Sequence, residues 1–152
     1  MTIWKIWFRA SPVCRACVAN MYKGEPICCL VNPFLGHEAQ GYPKAEKSEK
    51  VMVIGGGVAG MCAAFVAAER GHDVSLYEST DKLGGNMRLA AYPPGKGDIT
   101  NMIRSYIVRC EKAGVKIHMN TTVDLEMVKS RKTGCSDRIY RIKNTDPPYR
   151  GH

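Results

Sequence analysis

Three glycines in the middle of the chain have the spacing of a dinucleotide-binding turn. Gly55, Gly57 and Gly60 follow four apolar residues, 51–54, and precede an alanine-rich apolar run. In a strand–turn–helix unit, the first glycine permits a tight turn and the second lets a pyrophosphate approach the backbone. The third lets the helix pack close to the strand. The helix N-terminus adds free N–H groups and the positive end of its dipole. The pattern therefore predicts that this turn binds a dinucleotide.

A carboxylate stands where a ribose-binding acid is expected. Residues 73–77 read as a second apolar strand, and Glu78 lies at its end, 18 residues after Gly60. An acid at this place typically accepts hydrogen bonds from ribose hydroxyls. The alternative is an ordinary glycine-rich turn, with Glu78 as a solvated acid at a strand end. The order of strand, glycines, helix, strand and acid favours the binding site.

A second glycine pair, Gly84-Gly85, lies in residues 79–97, which we predict to form a loop. Two adjacent glycines let a loop lie flat against a ligand. A plain turn needs the same residues, so local sequence leaves both interpretations open.

Four of the seven cysteines lie in the first thirty residues, at Cys14, Cys17, Cys28 and Cys29. The N-terminus has no signal-peptide pattern, so we expect the reducing cytoplasm, where clustered cysteines favour metal binding over disulfides. The Cys14-x-x-Cys17 pair is suited to chelate one metal ion or one edge of an iron–sulfur cluster. Unrelated free thiols are the alternative.

The elements around these residues predict an α/β fold. Strands are expected at 51–54, 73–77 and 115–119, and helices at 58–71 and 98–113, with Asp98 as an N-cap. The second helix carries an apolar stripe that predicts its core face: Ile99, Met102, Ile103, Tyr106, Ile107 and Cys110. The order is that of a Rossmann-like unit of parallel strands.

The chain divides into three parts by composition. Residues 1–49 are a cysteine-rich arm and linker, 50–128 hold the Rossmann-like segment, and 129–152 read as an irregular basic tail. The tail carries seven Lys/Arg and two Asp, hence 7 − 2 = +5 of the net charge of +8. It has no nucleic-acid motif, so we interpret it as a solvated end and expect no nucleic-acid partner. No apolar run is long enough to predict a membrane helix.

Several motifs in order resemble one enzyme family. They are residues 29–33 (CLVNP), the turn VIGGGVAGM, the segment from YEST to LGGN, and residues 89–96 (LAAYPPGK). From Cys14 to about Val128 the chain resembles the C-terminal FAD-binding part of iron–sulfur flavin reductases of the Old Yellow Enzyme superfamily. That family includes 2,4-dienoyl-CoA reductase, trimethylamine dehydrogenase and NADH:flavin oxidoreductases.

The resemblance implies FAD as the cofactor and a [4Fe–4S] cluster on the arm. In the complete enzymes, electrons pass from NAD(P)H through FAD and the cluster to FMN in a barrel domain. The implied FAD-binding residues are Gly55, Gly57, Val58, Ala59, Gly60, Glu78, Gly84, Gly85, Asn86 and Val123. The implied cluster ligands are Cys14, Cys17 and Cys29.

This chain departs from the family pattern. Met21 stands where the family has the third cluster cysteine, and thioether sulfur is a poor replacement for a thiolate. The FMN barrel and the NAD(P)H-binding insertion have no counterpart in the sequence. We therefore expect a fragment that is inactive alone and that lacks a barrel domain or subunit as partner. A non-catalytic half-Rossmann module that binds a nucleotide or a protein partner is the alternative, and a zinc-binding or nucleic-acid module is a third.

Overall fold

The structure, a computed structural model, describes residues 17–131 and 138–141. Its elements are, in order, α1 (Cys17–Lys23), β1 (Lys50–Ile54), α2 (Val58–Glu69), β2 (Asp73–Tyr77), α3 (Met87–Ala90), α4 (Gly97–Lys112), β3 (Lys116–His118), α5 (Leu125–Arg131) and β4 (Arg138–Arg141). In this described part of the chain, no helix is long and apolar enough to cross a membrane.

The strands form one parallel sheet in the order β3-β2-β1-β4. In register, Ile54 pairs with Tyr77, and Tyr77 pairs with His118. The carboxyl ends of β1, β2 and β3 therefore meet at one edge, which is where ligands bind in open α/β sheets. The predicted Rossmann-like class of parallel strands and helices is confirmed.

The core lies between the sheet and the two long helices. Val53 and Leu76 of the strands are fully buried and belong to one cluster with Met61, Ala64 and Phe65 of α2. Burial of each large side chain stabilises the fold by about 1.5–3 kcal/mol. The predicted stripe on α4 is confirmed, since five of its six residues are buried and Ile107 is partly buried against the same cluster.

Three predictions about element bounds are wrong. Asp98 is not the N-cap of α4; Lys96 holds that position, and Asp98 lies in the first turn, where its charge favours the helix dipole. The segment 79–97 is not all loop, because it contains α3. The tail is not irregular throughout, because Arg138–Arg141 pairs with β1 as a parallel strand.

The N-terminal arm is docked on the helices by buried contacts. Val31 is buried, and its carbonyl oxygen accepts a hydrogen bond of 2.9 Å from the Tyr106 hydroxyl on α4. Asn32 is also buried, and its amide donates to Glu38 at 2.8 Å. Val31 therefore anchors the arm to α4, and the bond between Asn32 and Glu38 stabilises the arm itself.

Candidate dinucleotide-binding site

The glycine turn after β1 has the geometry that its spacing predicts. Gly55 has φ +103°, a left-handed conformation that favours glycine, and its N–H donates to the Tyr77 carbonyl at 2.8 Å. A Cβ on Gly60 would overlap the Gly55 carbonyl oxygen, so only glycine lets α2 approach this closely. A Cβ on Gly57 would meet no atom within 4 Å. The turn is thus packed on both sides of Gly57 and open at Gly57 itself.

The N-terminus of α2 begins at this open position. Gly57 is its N-cap and makes no side-chain capping bond, and the first turn carries no acid. Val58 is partly buried and Ala59 is exposed. An uncapped first turn of a 12-residue helix presents N–H groups and a positive dipole end to the space in front of Gly57. That arrangement suits the two phosphates of a dinucleotide.

Glu78 follows β2 and is 8% exposed. Its Oε2 accepts a hydrogen bond from the Gly56 N–H at 2.6 Å. Its Oε1 accepts three, from the Thr80 N–H at 2.9 Å, the Thr80 hydroxyl at 3.0 Å and the Ser79 hydroxyl at 3.2 Å. The predicted ribose-binding acid is therefore a bonded part of the turn and not a solvated strand-end side chain.

These hydrogen bonds keep the Glu78 carboxylate charged. Burial, the largest single effect, raises the pKa of this carboxyl group, but the hydrogen bonds from Thr80, Gly56 and Ser79 together outweigh burial. The net pKa lies below its usual value. An ionised carboxylate accepts hydrogen bonds from ligand hydroxyls and donates none.

Gly56 is a site residue that the glycine pattern does not specify, since it occupies a variable position. A Cβ at Gly56 would overlap the Leu83 side chain and lie 3.0 Å from Glu78 Oε2. Any side chain there would push Leu83 and the carboxylate away from the turn. The run of three glycines was the available signal, but the need for the middle one appears only in three dimensions.

The second glycine pair lies directly against the first turn. The Gly84 N–H donates to the Gly56 carbonyl at 2.8 Å, and Gly57 and Gly84 form a parallel bridge. A Cβ on Gly85 would lie 3.3 Å from the Gly57 Cα. Asn86 follows, exposed, as the N-cap of α3. The structure thus brings the two glycine segments together at the open position.

The segment after β3 closes the other side of Glu78. The Thr121 N–H donates to the Glu78 carbonyl at 2.8 Å, and the Asn120 N–H donates to the Thr80 carbonyl at 3.1 Å. His118 stacks on Tyr77 with ring centroids 4.5 Å apart. Val123 is partly buried and lies two residues after Thr121.

The cysteine arm does not form a metal site in the described residues. Cys14 lies outside them, Cys17 opens α1, and Cys29 is packed against the core cluster. Cys28 accepts a hydrogen bond of 3.6 Å from the Asn20 amide. Among residues 17–130, no three His, Cys, Asp or Glu side chains are grouped so as to hold a metal ion. Of the three implied cluster ligands, only Cys17 and Cys29 lie within the described residues, and neither belongs to such a group there.

Comparison with known proteins agrees with the fold and the resemblance. Residues 53–111 match the family model of the NAD(P)-binding Rossmann-like domain. Cinnamate reductase of Clostridium sporogenes is 37% identical over 143 residues, or 89% of this chain. Metal reductase of Desulforamulus reducens is 38% identical over 118 residues, or 76% of this chain. The structure of 2-naphthoyl-CoA reductase with 2-naphthoyl-CoA matches 77% of this chain, with 34% identity and a TM-score of 0.69.

The matched proteins are much longer than this chain. It spans 22% of the cinnamate reductase, 18% of the metal reductase and 18% of the 2-naphthoyl-CoA reductase chain. These relatives are reductases. The resemblance to the 2,4-dienoyl-CoA reductase family is therefore confirmed. The chain corresponds to about a fifth of each of them.

Proposed function

We propose that the glycine turn, the N-terminus of α2 and Glu78 bind the ADP half of FAD. In this proposal the chain is the FAD-binding segment of an NAD(P)H-dependent flavoprotein oxidoreductase. One observation carries it: a Cβ at Gly57 meets nothing, whereas one at Gly56, Gly60 or Gly84 meets packed atoms. Gly57, the open glycine of this turn, lies at the uncapped helix N-terminus, where a pyrophosphate is expected.

Each part of the site has one role in binding. The backbone from Gly57 into α2 faces the pyrophosphate, and Glu78 accepts a hydrogen bond from a ribose hydroxyl group. Gly84, Gly85 and Asn86 line the flavin side, and Val123 contacts the adenine end. FAD supplies the redox chemistry when it is bound, while these residues hold and orient it.

The relatives extend the proposal to a reaction class. Cinnamate reductase and 2-naphthoyl-CoA reductase act, by their names, on unsaturated acyl compounds. We propose reduction of such a compound for the larger enzyme of which this segment is a part. The 152 residues alone are expected to bind the cofactor without reducing an enoyl substrate, because the resemblance places FMN in a barrel domain. The proposal assigns no electron transfer through a cluster to this segment, because its described residues hold no group of three metal-binding side chains.

A matched pair of glycine substitutions tests the site. Gly57→Ala fits the fold, because its Cβ has free space and its φ is −67°, yet the methyl group projects toward the pyrophosphate. Gly97→Ala adds the same methyl group in open space at the start of α4. We expect Gly57→Ala to raise the Kd for ADP and FAD at least about tenfold, with stability changed by no more than about 1 kcal/mol. Gly97→Ala should bind like the wild type.

The measurement is isothermal titration with ADP and with FAD, together with urea unfolding of each variant. Wild-type binding that Gly57→Ala leaves unchanged would place the nucleotide elsewhere and contradict the proposal. Absence of ADP and FAD binding by the wild-type chain would contradict it outright.

The alternative, a non-catalytic nucleotide- or partner-binding module, is favoured by one observation. In the described sheet, β3 is an edge strand that pairs with β2 alone. An unpaired edge is a surface on which a strand from another polypeptide can add. ADP binding without any gain in affinity for FAD, combined with self-association in sedimentation, would favour this alternative.

A further inference from the structure

The two carboxylate oxygens of Glu78 accept different numbers of hydrogen bonds, because the two hydroxyl residues that follow it both bond to the same oxygen. Oε1 receives the Thr80 N–H, the Thr80 hydroxyl and the Ser79 hydroxyl. Within the described residues, Oε2 receives the Gly56 N–H alone. The two oxygens of one ionised side chain therefore differ in how much acceptor capacity is left.

A carboxylate oxygen has about two lone-pair directions for hydrogen bonds. Three donors saturate Oε1, while one donor leaves Oε2 a free direction. The Thr80 hydroxyl lies 3.0 Å from the Lys82 carbonyl as well as 3.0 Å from Oε1. Its single proton favours Oε1, because hydrogen bonds to an ionised acceptor are about twice as strong as neutral ones.

We infer that Ser79 and Thr80 are positioning residues. Their hydrogen bonds occupy Oε1 of Glu78 and leave Oε2 as the one acceptor for the ribose. The inference rests on the proposed binding of ADP at this turn and specifies how the ribose is recognised. With one available oxygen, Glu78 accepts a hydrogen bond from one of the two ribose hydroxyl groups and not from both. Ser79 and Thr80 act through Glu78 and do not themselves contact the ligand.

The geometry supports Oε2 as the ligand-facing atom. Oε2 is bonded to Gly56, next to the open position at Gly57, whereas Oε1 is bonded to the 79–80 loop. The ribose of a bound ADP lies next to the pyrophosphate. The oxygen on the side of the glycine turn is thus also the one with spare acceptor capacity.

Titration calorimetry with ADP, 2′-deoxy-ADP and 3′-deoxy-ADP tests the inference. For the wild type, we expect one deoxy analogue to bind about tenfold more weakly than ADP, and the other to bind within about threefold of it. The Ser79→Ala/Thr80→Val double variant leaves Oε1 with the Thr80 N–H alone, so the second ribose hydroxyl gains an acceptor. Both deoxy analogues should then bind about tenfold more weakly than ADP.

Two variants serve as controls. The single variant Thr80→Ser keeps the hydroxyl group and should show the wild-type pattern of dissociation constants for the three ligands. Thr121→Val makes the same chemical change as Thr80→Val at the same sheet edge, but the Thr121 hydroxyl donates to the Met119 carbonyl and not to Glu78. It should leave the ratios of the three dissociation constants unchanged.

Each outcome decides between the inference and its alternatives. Equal losses with both analogues in the wild type would overturn the inference without any variant, even if the double variant fails to fold. A double variant that weakens all three ligands by one factor has only a structural defect, which also overturns it. If the wild-type chain binds no ADP, the proposed function itself fails, and that result is distinct from altered ratios.

Discussion

Glu78→Gln isolates the contribution of the buried carboxylate, because glutamine has the same shape without the charge. The glutamine amide has only one oxygen, so its nitrogen must face one of the donors that form hydrogen bonds to Glu78. The least costly orientation turns the nitrogen toward Gly56, where one N–H loses its acceptor. An unpaired donor at a site that is 8% exposed costs about 1–3 kcal/mol. We expect the free energy of unfolding to fall by about 2 kcal/mol at pH 7.

The pH dependence of this loss has a definite sign. The pKa of Glu78 is lowered in the folded state, so its stabilisation is fully present above the unfolded pKa and is lost as pH falls through the folded pKa. A protonated carboxyl group has one acceptor oxygen and one donor, much like the glutamine amide. The difference between wild type and Glu78→Gln should therefore stay constant from pH 7 down to about pH 4.3, the ordinary pKa of a glutamate, and should shrink as the pH falls below that value.

Urea unfolding of both proteins across that pH range measures the effect. Glu46→Gln is the matched control, since Glu46 is exposed and its substitution should change stability by no more than about 0.5 kcal/mol. A loss below about 0.5 kcal/mol at pH 7, or one of constant size down to pH 3, would refute the hydrogen-bonded, ionised state of Glu78.

Three further substitutions test other parts of the structure. Gly60→Ala places a methyl group on the Gly55 carbonyl oxygen; we expect a loss of at least about 2 kcal/mol in urea unfolding, and full stability would contradict the close packing of α2. Tyr106→Phe leaves the buried Val31 carbonyl without its donor, so about 1–3 kcal/mol should be lost and the arm should be cleaved faster by trypsin; an unchanged cleavage rate would argue against this anchor. Met21→Cys restores the third thiolate that the resemblance implies, and iron retained after anaerobic reconstitution should rise; full iron in the native chain that the substitution does not change would refute the ligand assignment.

The fold of the site was predictable because its determinants are local. The spacing of Gly55, Gly57 and Gly60 is a pattern within one short segment, and it predicts the turn between β1 and α2. The period of apolar residues on α4 fixes which of its faces is buried. Each of these patterns specifies one element without reference to distant residues, so their order was enough to predict the sheet and the position of Glu78 at its edge.

The remaining features depend on contacts between distant segments. The bond from Tyr106 to Val31 joins residues 75 positions apart, and nothing in either local sequence indicates it. The strand Arg138–Arg141 is defined by pairing with β1, and its short, charged sequence has no strand pattern of its own. The packing of Gly84-Gly85 on Gly57 joins two separate segments, and the local sequence of neither segment indicates it.

The backbone donors of the glycine turn are shared between two tasks. The Gly55 N–H holds the end of β2 and the Gly56 N–H holds Glu78, so neither is free for a phosphate. An anion at this turn must then rely on the N–H groups from Gly57 onward, where α2 begins without a side-chain cap. Gly55 and Gly56 thus hold the end of β2 and Glu78 in place, and in the proposed site the start of α2 is left for the pyrophosphate. A substitution at Gly56 should therefore impair ribose recognition through Glu78, whereas one at Gly57 should impair phosphate binding directly.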